Sequence, residues 1–507
     1  MPVPVPEPLN ERQLQAAAAL LARVSRPATE LGEIFTAAGH ELALVGGPVR
    51  DVFLNRVSGD LDLTTDATPQ RVQELVEGWA DQVWTIGIEF GTIGLRKDRT
   101  TFEITTYRSE RYDRTSRKPV VEYGTSLADD LARRDFTVNA MAARLPAYEL
   151  VDPYGGLADL LQRRVLRTPG RPEESFTDDP LRILRAARFT AQLGLTVTAE
   201  TAAAMTELAG LVAPPKVSAE RISAELSKLL ISPRPGGPVA GIALLVGTGV
   251  ADVVLPEVPK LRLESDEHYR HKDVYQHSLT VLDQAIGLES RYGLDQDLVL
   301  RLAALLHDIG KPRTRQQLPG GRVAFHHHEV VGAKMARTRL SELKYGKDVV
   351  ADVSRLVELH LRFHGYGEGE WTDSAVRRYV TDAGPLLSRL HALTRADCTT
   401  RNKAKALRLE RAYDDLEARI EVLAAQEELA RIRPDLDGTE IMRILGIPPG
   451  PLVGRAYKHM LELRMEHGPV DHERAVQELL VWAASAGLEV PPPDPSGPAA
   501  EATGPAD

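Results

Sequence analysis

Short apolar runs separated by glycine-rich turns predict β-strands in the first third of the chain. The segment ELALVGGPVRDVFL, which begins at Glu41, is typical of a short buried strand, a Gly-Gly turn and the start of a helix. Helices are predicted between or after the later strands, so this part of the chain is a mixed α/β segment that ends near Leu166. The later strand-like stretches are 82–88, 92–96 and 101–107.

Beyond Asp178 the apolar positions recur with the period of an α-helix. Breaks rich in Gly and Pro separate these helical stretches, and the remainder of the chain is predicted to be all-helical. The predicted fold class is therefore α+β, with a mixed α/β N-terminal part followed by helical domains. In PLRILRAARFTAQLGL the predicted buried positions are Leu181, Leu184, Ala187 and Phe189.

The composition limits the class of protein. Hydrophobic residues make up 43% and charged residues 26% of the 507 residues, which is ordinary for a globular chain of about three domains and excludes a mostly disordered one. The net charge of −10 repels nucleic acid, so any nucleic acid partner requires a local basic surface. The single cysteine, Cys398, excludes an intramolecular disulfide and favours a reducing compartment. Because signal-peptide and membrane-spanning patterns are both lacking, we expect a cytoplasmic protein without membrane contact.

A phosphate-binding pattern follows the first predicted strand. Gly46 and Gly47 let the backbone approach a phosphate without interference from side chains, beside a predicted helix start. Asp60 and Asp62 stand two residues apart, which on a strand places both carboxylates on one face, where they can hold Mg²⁺ against a triphosphate. An Asp-x-Asp pair alone also occurs in solvated turns, so the prediction depends on the combination.

Several motifs in a fixed order resemble a known family. GGPVRD followed by GDLDLTT resembles the opening motif of the polymerase-β-type nucleotidyltransferases, and is most similar to class II CCA-adding tRNA nucleotidyltransferases and bacterial poly(A) polymerases. A ribose-recognition motif, a domain-linking motif, a base-reading motif and a last helical motif follow in the order of that family, and a chance match of all of them is very improbable. These are RRDFTVNAMA (133–142), DPYGG (152–156), DDPLRILRAARF (178–189) and RISAELSKLL (221–230).

The resemblance implies a role for each matching residue. Asp60 and Asp62 would be the catalytic carboxylates and the Mg²⁺ ligands. Glu103 lies where related polymerases carry a third carboxylate, although class II enzymes rely chiefly on two. The residues that would bind the nucleotide are Gly46, Gly47, Arg50, Arg134, Asp135, Asn139, Asp179, Arg182, Arg185 and Arg188.

Two groups within this set have alternatives. Asp179 and Arg182 are three residues apart on a predicted helix, so their acceptors and donor fork could read a base edge together, or they could form a surface ion pair. By resemblance they select CTP and then ATP without a nucleic acid template. Arg134, Asp135 and Asn139 would recognise the sugar and phosphates, including the 2′-hydroxyl; alternatively they are a polar helix start capped by Asp135.

A histidine-rich pattern follows in the second half of the chain, in RLAALLHDIGKP, FHHHEVVGA and VELHLRFH. His307 beside Asp308 at the end of an apolar helix indicates a metal, because a buried His–Asp pair needs a cation or a partner. The pattern resembles an HD-type metal-dependent phosphohydrolase domain, with Lys311 placed to aid phosphate binding. The ligands that the resemblance implies are His277, His307, Asp308 and Asp397, with His328 and His360 for a second metal.

Such His/Asp ligation suits Mn, Fe, Ni, Co or Zn comparably, so it predicts a divalent transition metal of unspecified identity. The alternative is a decayed helical domain that keeps polar residues without activity. The predicted domain boundaries are 1–30 for an N-terminal extension, 31–166 for a nucleotidyltransferase head, 167–265 for a helical neck and body that binds RNA and reads the base, 266–400 for an HD domain, 401–488 for a helical tail and 489–507 for a disordered tail.

The chain is thus predicted to be an RNA end-processing enzyme with two sites. In the main reaction the 3′-hydroxyl of tRNA attacks the α-phosphate of CTP or ATP and pyrophosphate leaves, which adds C, C and A in turn. One rival is a poly(A) polymerase that uses ATP only, and another is an HD phosphohydrolase for RNA repair with a relict transferase head. Full CCA, CC-only and A-only addition all stay open at this point, as do a monomer and a homodimer.

Overall fold

The chain forms two compact units in the computed structural model. They comprise Met1–Lys260 with Ser341–Tyr345, and Leu261–Leu340 with Gly346–Asp507. Part of the predicted N-terminal extension and all of the predicted disordered tail, 489–507, lie outside the residues that the structure describes. The described residues are 11–22, 26–56, 59–110, 121–123, 126–263, 273–319, 322–363, 371–399, 402–426 and 432–488.

A seven-stranded sheet forms the centre of the first unit. The strands of this unit are β1 Leu42–Val45, β2 Asp60–Thr65, β3 Gln82–Trp84, β4 Thr92–Lys97, β5 Thr100–Thr106, β6 Arg108–Glu110, β7 Val121–Tyr123, β8 Ala142–Arg144, β9 Glu149–Val151, β10 Val165–Leu166 and β11 Thr196–Val197. The sheet order is β3-β4-β5-β2-β1-β8-β9. β2 and β5 run parallel, and the other neighbours in this sheet pair antiparallel.

The two faces of this sheet are distinguished by the alternation of side chains along its strands. Leu42 and Leu44 on β1, with Leu61 and Leu63 on β2, point into the main core cluster, which also contains Phe35. Because successive strand residues point to opposite faces, Asp60 and Asp62 lie on the other face. The sheet thus presents its carboxylates away from its main core.

Helices complete the first unit. They are α1 Glu11–Leu21, α2 Arg26–Ala37, α3 Gly47–Phe53, α4 Pro69–Val76, α5 Leu127–Ala132, α6 Gly156–Ala158, α7 Pro172–Asp178, α8 Leu181–Leu193, α9 Ala199–Glu207, α10 Ala219–Leu230, α11 Gly237–Gly247 and α12 Ala251–Val254. All four positions predicted to be buried on α8 are buried, which confirms that prediction. α8 ends at Leu193, and Gly194 follows with a left-handed φ of 66°, a conformation that favours glycine and terminates the helix.

The second unit is almost entirely helical. Its helices are α13 Val274–Leu288, α14 Leu298–Leu306, α15 Lys311–Thr314, α16 His328–Glu342, α17 Lys347–Leu359, α18 Asp373–Ala383, α19 Leu387–Asp397, α20 Lys403–Gln426, α21 Gly438–Leu445, α22 Pro451–His467 and α23 His472–Ser485. The last three helices share a core cluster that includes Ile441, Met460 and Leu479. Arg377 on α18 donates a hydrogen bond to the carbonyl of Met465 near the end of α22, at 3.1 Å.

The α+β fold class is confirmed, with one refinement. Short strands interrupt the part that we predicted to be all-helical: β11 pairs with β10 of the preceding mixed segment, and β12 Arg315–Leu318 pairs with β13 Arg322–Phe325. Strands this short carry too few residues for an alternating pattern to stand out against the helical period. Across the described stretches, no helix combines the length and apolar character needed to cross a bilayer.

Candidate functional site

The turn between β1 and α3 requires glycine. Gly46 has a φ of 71°, and a Cβ atom at this position would lie 3.0 Å from Nη1 of Arg134. Any other residue would therefore be strained and would crowd an arginine of the predicted nucleotide site. Arg134 is itself held by Asp130, whose Oδ2 accepts from Nη2 at 3.0 Å. Gly46, Gly47 and Arg134 are thus neighbours in space.

Asp60 and Asp62 lie on one face of β2, as their spacing predicts. Both residues are exposed, whereas Leu61 between them is buried. Glu103 on β5 stands directly opposite Asp62 in the parallel register. The surrounding protein removes part of the hydration of the Asp62 carboxylate, and this, followed by the negative charge of Glu103, raises the pKa of Asp62. Such an oxygen-only donor set with excess negative charge fits Mg²⁺.

Asp135 connects the ribose-recognition motif to the base-reading helix. Its carboxylate accepts hydrogen bonds from the Phe136 N–H at 2.8 Å, from Asn139 Nδ2 at 3.0 Å and from Arg185 Nε at 2.7 Å. Burial opposes the charged form, but the positive charge of Arg185 and these hydrogen bonds outweigh it and lower the pKa of Asp135. Asn139 in turn accepts from Arg50 Nη1 at 2.6 Å. One hydrogen-bonded chain therefore runs from α3 to α8.

Three arginines surround the ring of Phe189. The guanidinium carbons of Arg50, Arg185 and Arg188 lie 5.4, 5.3 and 4.4 Å from the ring centroid, within range of cation–π attraction. Burial, followed by repulsion from Arg185, lowers the pKa of Arg188 to about 10. Glu225 Oε2 lies 3.1 Å from Arg188 Nε and balances part of this charge. Clustered guanidinium groups of this kind suit the oxygens of a triphosphate.

Our prediction that Asp179 and Arg182 share a helix is wrong. α7 ends at Asp178 and α8 begins at Leu181, and Asp179 lies between them with a φ of −135° and a ψ of 96°. The cause is Pro180, because the residue before a proline is disfavoured in the helical region. The Asp179-Pro180 dipeptide in the sequence already indicated that the helix would be interrupted here.

Asp179 and Arg182 are held by different partners. Arg182 donates from Nη1 to Ser175 Oγ and from Nη2 to the Arg133 carbonyl, both at 2.7 Å. The Asp179 carboxylate accepts from the Leu181 N–H at 3.2 Å and, more distantly, from Arg221 Nη2 at 3.5 Å. The two side chains thus lie near the start of α8 without depending on each other for their orientation.

Sequence reasoning missed Asp159, which is completely buried. Its carboxylate accepts from Thr137 Oγ1 and from Arg163 Nη1, both at 2.7 Å, and lies 2.8 Å from Arg167 Nε. Because Thr137 begins the short turn that carries Asn139, Asp159 ties the ribose-recognition motif to the chain that follows DPYGG. An aspartate within a helical motif gives no sequence signal for such a contact.

The six residues predicted as metal ligands converge in the second unit. They occupy the first turn or the end of five helices: His277 on α13, His307 and Asp308 directly after α14, His328 at the start of α16, His360 directly after α17 and Asp397 at the end of α19. Two triads of ligand atoms result, which share Asp308: His277, His307 and Asp308, and Asp308, His328 and His360. Within the HHH run the structure selects His328, which is buried, whereas His326 and His327 are exposed.

The ring orientations of three histidines are fixed by backbone. Nδ1 of His307, His328 and His360 lies 2.9, 2.8 and 2.6 Å from the carbonyl oxygens of Ala304, Phe325 and Val357. A carbonyl only accepts, so Nδ1 carries the proton and Nε2 points into the centre. Within the described part of the chain, the buried Nε2 atoms of His328 and His360 make no hydrogen bond. Buried acceptors of this kind are what a divalent transition metal requires.

The charges at this centre favour a cation. Asp308 Oδ2 lies 3.1 Å from His307 Nε2 and 2.9 Å from Lys311 Nζ. Burial alone would lower the pKa of His307, but the charge of Asp308 outweighs it and raises this pKa to about 9. Burial, followed by the charge of His307, lowers the pKa of His360 to about 3, so that its imidazole is neutral at physiological pH. The buried Asp308 carboxylate is thus stabilised by nearby positive charge, and the neutral imidazole of His360 offers a lone pair to a metal ion.

A close approach of backbones brings Asp308 and His328 together. A Cβ atom at Gly310 would lie 2.1 Å from the carbonyl oxygen of His328 and 2.7 Å from the backbone nitrogen of Gly332. The turn after α14 therefore packs directly against α16, and glycine is required there because any side chain would force the two segments apart.

Comparisons with known proteins match three stretches of the chain and most of its length. Residues 42–167 match the family model described as "Poly A polymerase head domain", residues 194–261 match "Probable RNA and SrmB- binding site of polymerase A", and residues 274–402 match "HD domain". The chain is 35% identical over 430 residues to the A-adding tRNA nucleotidyltransferase of Deinococcus radiodurans, covering 83% of this chain and 91% of that protein. It is 33% identical to the CC-adding tRNA nucleotidyltransferase of Thermus thermophilus, covering 86% and 93%.

A solved structure extends the likeness to the fold. The CCA-adding enzyme of Bacillus stearothermophilus in complex with CTP superposes with a TM-score of 0.66 at 24% identity, covering 91% of this chain and 99% of that one. The sheet, the paired aspartates and the HD centre together define a polymerase-β-type nucleotidyltransferase with an additional HD domain. The chain belongs to the class II CCA-adding tRNA nucleotidyltransferase and poly(A) polymerase family, in the form that carries an HD domain.

Proposed function

We propose that this protein adds cytidine and adenosine nucleotides to the 3′ end of tRNA, with CTP and ATP as substrates and without a nucleic acid template. The observation that carries the proposal is the face of β2 on which Asp60 and Asp62 lie, in a chain that aligns along most of its length with A-adding and CC-adding tRNA nucleotidyltransferases. Mg²⁺ held by these carboxylates would activate the RNA 3′-hydroxyl and stabilise the leaving pyrophosphate.

The residues of the chain position the nucleotide. Gly46 and Gly47 admit the phosphates close to the backbone, and the arginines around Phe189 neutralise them. Asn139 and Asp135, joined at 3.0 Å, recognise the sugar. Asp179 and Arg182 at the start of α8 select the base, Asp179 through its acceptors and Arg182 through its donor fork. Because positioning and charge supply the catalysis, no proton-abstracting side chain is needed.

We assign these roles to separate domains of the chain. The head comprises 31–166 and catalyses nucleotide transfer, the neck and body at 167–265 read the base and bind RNA, and the tail comprises 401–488. The match of 194–261 to a probable RNA-binding model supports the placement of RNA binding in the neck and body.

The HD domain at 266–400 is the second active site of the proposal. The six converged ligands would hold Mn, Fe, Ni, Co or Zn, and the bound metal would supply a nucleophilic water for attack on a phosphoester. Lys311, 2.9 Å from Asp308, adds a positive charge beside the phosphate. The substrate class is a 2′,3′-cyclic phosphate or a phosphomonoester at an RNA end, because a blocked end must present a free 3′-hydroxyl before a nucleotide is added.

The transfer reaction is tested with tRNAs that lack the 3′ terminus to different extents. Purified protein is incubated with tRNA ending before CCA and with tRNA ending in CC, with each NTP singly and with CTP and ATP together. Full CCA addition predicts two cytidines with CTP alone and one adenosine on the CC substrate with ATP. Extension by many adenosines with ATP alone would instead identify a poly(A) polymerase, and activity on one substrate only would identify a CC-adding or A-adding enzyme.

Replacing Arg182 by alanine should loosen the choice of nucleotide more than it weakens triphosphate binding. The guanidinium donates to Ser175 and Arg133 and not to the phosphate-binding groups, and the loss of a two-pronged base contact costs about 1–3 kcal/mol of discrimination. We therefore expect an approximately 5- to 150-fold drop in the preference for CTP and ATP over UTP and GTP, measured as a ratio of kcat/KM values.

The matched control for Arg182 is Arg171→Ala, which removes an exposed arginine just before α7 that contacts only neighbouring glutamates among the described residues. Unchanged selectivity in Arg182→Ala, with both variants folded, would show that Arg182 does not read the base.

A further inference from the structure

One tight turn contacts both ring nitrogens of His277. Asp397 Oδ1 lies 2.9 Å from Nε2, and Thr399 Oγ1 lies 3.0 Å from Nδ1. The Thr399 N–H donates to the Asp397 carbonyl at 2.8 Å, and Cys398 between them has a φ of −74° and a ψ of 71°, which is the geometry of an inverse γ-turn. The turn thus places a carboxylate at one edge of the ring and a hydroxyl at the other.

His277 differs in this respect from the other three histidines of the centre. Their Nδ1 atoms face backbone carbonyls, which fix the proton on Nδ1 and leave Nε2 ready to ligate. At His277 the Thr399 hydroxyl faces Nδ1 instead, and Nε2 faces Asp397 and His307, which are themselves proposed ligands.

A metal takes the lone pair of Nε2, so the proton of a ligating neutral ring is on Nδ1, where Thr399 Oγ1 can accept it. We propose that Thr399 is a positioning residue of the HD centre, whose hydroxyl accepts a hydrogen bond from His277 Nδ1 and thereby directs Nε2 toward the metal.

A hydroxyl group is suited to this role because its oxygen can accept the Nδ1 proton, as the backbone carbonyls do at the other three histidines. An apolar side chain could not accept it. Partners that orient a ligating histidine typically contribute 10- to 100-fold to metal affinity. The inference rests on the metal centre proposed above, and it goes further because it assigns a task to a residue that is not itself a ligand.

The test compares Thr399→Val, which keeps the shape of the side chain but removes the hydroxyl, with Thr399→Ser, which restores it. Metal-stripped full-length protein is titrated with Ni²⁺ by calorimetry in excess Mg²⁺, so that the carboxylates of the head do not contribute. We expect about 10- to 100-fold weaker Ni²⁺ binding in Thr399→Val and an affinity within about threefold of wild type in Thr399→Ser.

The matched control is Thr280→Val, one turn after His277 on α13, where the lost hydroxyl donates only to the Gln276 carbonyl at 2.8 Å in the described structure. This control should bind Ni²⁺ like the wild type. Equal affinities for Thr399→Val and wild type would overturn the inference while leaving the proposed centre intact. Failure of the wild type itself to bind Ni²⁺ would overturn the proposed centre.

A spectroscopic measurement separates this role from a merely structural one. Imidazole ¹⁵N shifts of histidine-labelled protein, with His277 assigned by comparison with His277→Gln, report which ring nitrogen carries the proton. We expect the Nδ1–H form of His277 after addition of diamagnetic Zn²⁺ to the wild type, with a change of its Nδ1 shift in Thr399→Val that Thr399→Ser restores. An unchanged Nδ1 shift in Thr399→Val would overturn the hydrogen bond from His277 Nδ1 to Thr399.

Discussion

Asp62→Ala and Asp60→Ala should each reduce nucleotide addition by about 1000-fold or more, while the binding of tRNA persists. Both carboxylates lie on one face of β2, where the Mg²⁺ that we propose they hold would place positive charge next to the triphosphate and supply most of the catalysis. Single-turnover incorporation of labelled CTP into truncated tRNA measures the loss, and a filter-binding assay measures the tRNA affinity.

Two further variants serve as a control and as a comparison for the aspartate variants. Glu74→Gln on α4 neutralises an exposed carboxylate and should leave incorporation unchanged. Glu103→Gln removes the charge opposite Asp62 in the sheet and should cost less than either aspartate, because class II enzymes rely chiefly on two carboxylates. Incorporation near the wild-type rate by both aspartate variants would refute the assignment of β2 as the metal-binding strand.

Replacing His307 and Asp308 together by alanine should eliminate transition-metal binding and phosphohydrolase activity and leave nucleotide addition to an intact 3′-hydroxyl largely unchanged. Asp308 belongs to both ligand triads, so its loss dismantles both. The two residues belong to the second unit, whereas the residues assigned to nucleotide transfer belong to the first. Metal content by mass spectrometry, hydrolysis of 2′,3′-cyclic phosphate and CTP incorporation are measured on the same preparation, with circular dichroism to verify folding.

The control for this double variant is His327→Ala, which removes an exposed histidine beside the ligand His328. It should keep its metal and both activities. A folded double variant that hydrolyses the cyclic phosphate as fast as the wild type would rule out the HD centre as the hydrolytic site, and one that also loses CTP incorporation would show that the two sites are coupled.

The candidate residues of both sites could be predicted from the sequence because they are recognised by residue type and local spacing. Asp60 and Asp62 share a face as soon as β2 is recognised as a strand. His307 and Asp308 are adjacent, at the end of a predicted apolar helix, and the structure places them at the centre of the ligand set. The α+β architecture followed equally directly from the change in apolar period after the head.

Contacts between distant positions could not be predicted in this way. Thr137 and Asp159, and His277 and Thr399, meet only through tertiary folding, and their residue types are ordinary for helices and turns. Asp179 is a different kind of error, because Pro180 was visible and its effect on the preceding residue is local. Our prediction gave more weight to helical periodicity than to the proline, whereas in the structure the proline interrupts the helix.

The direct backbone contact at Gly310 links the positions of the two ligand triads. Asp308 and His328 belong to segments that touch without an intervening side chain. One added methyl group at Gly310 would push α16 and His328 away from Asp308, while His277, His307 and Asp308 could still converge. The second triad therefore depends on a glycine that ligates nothing, and a survey of metal stoichiometry among related domains should inspect this position as well as the ligands.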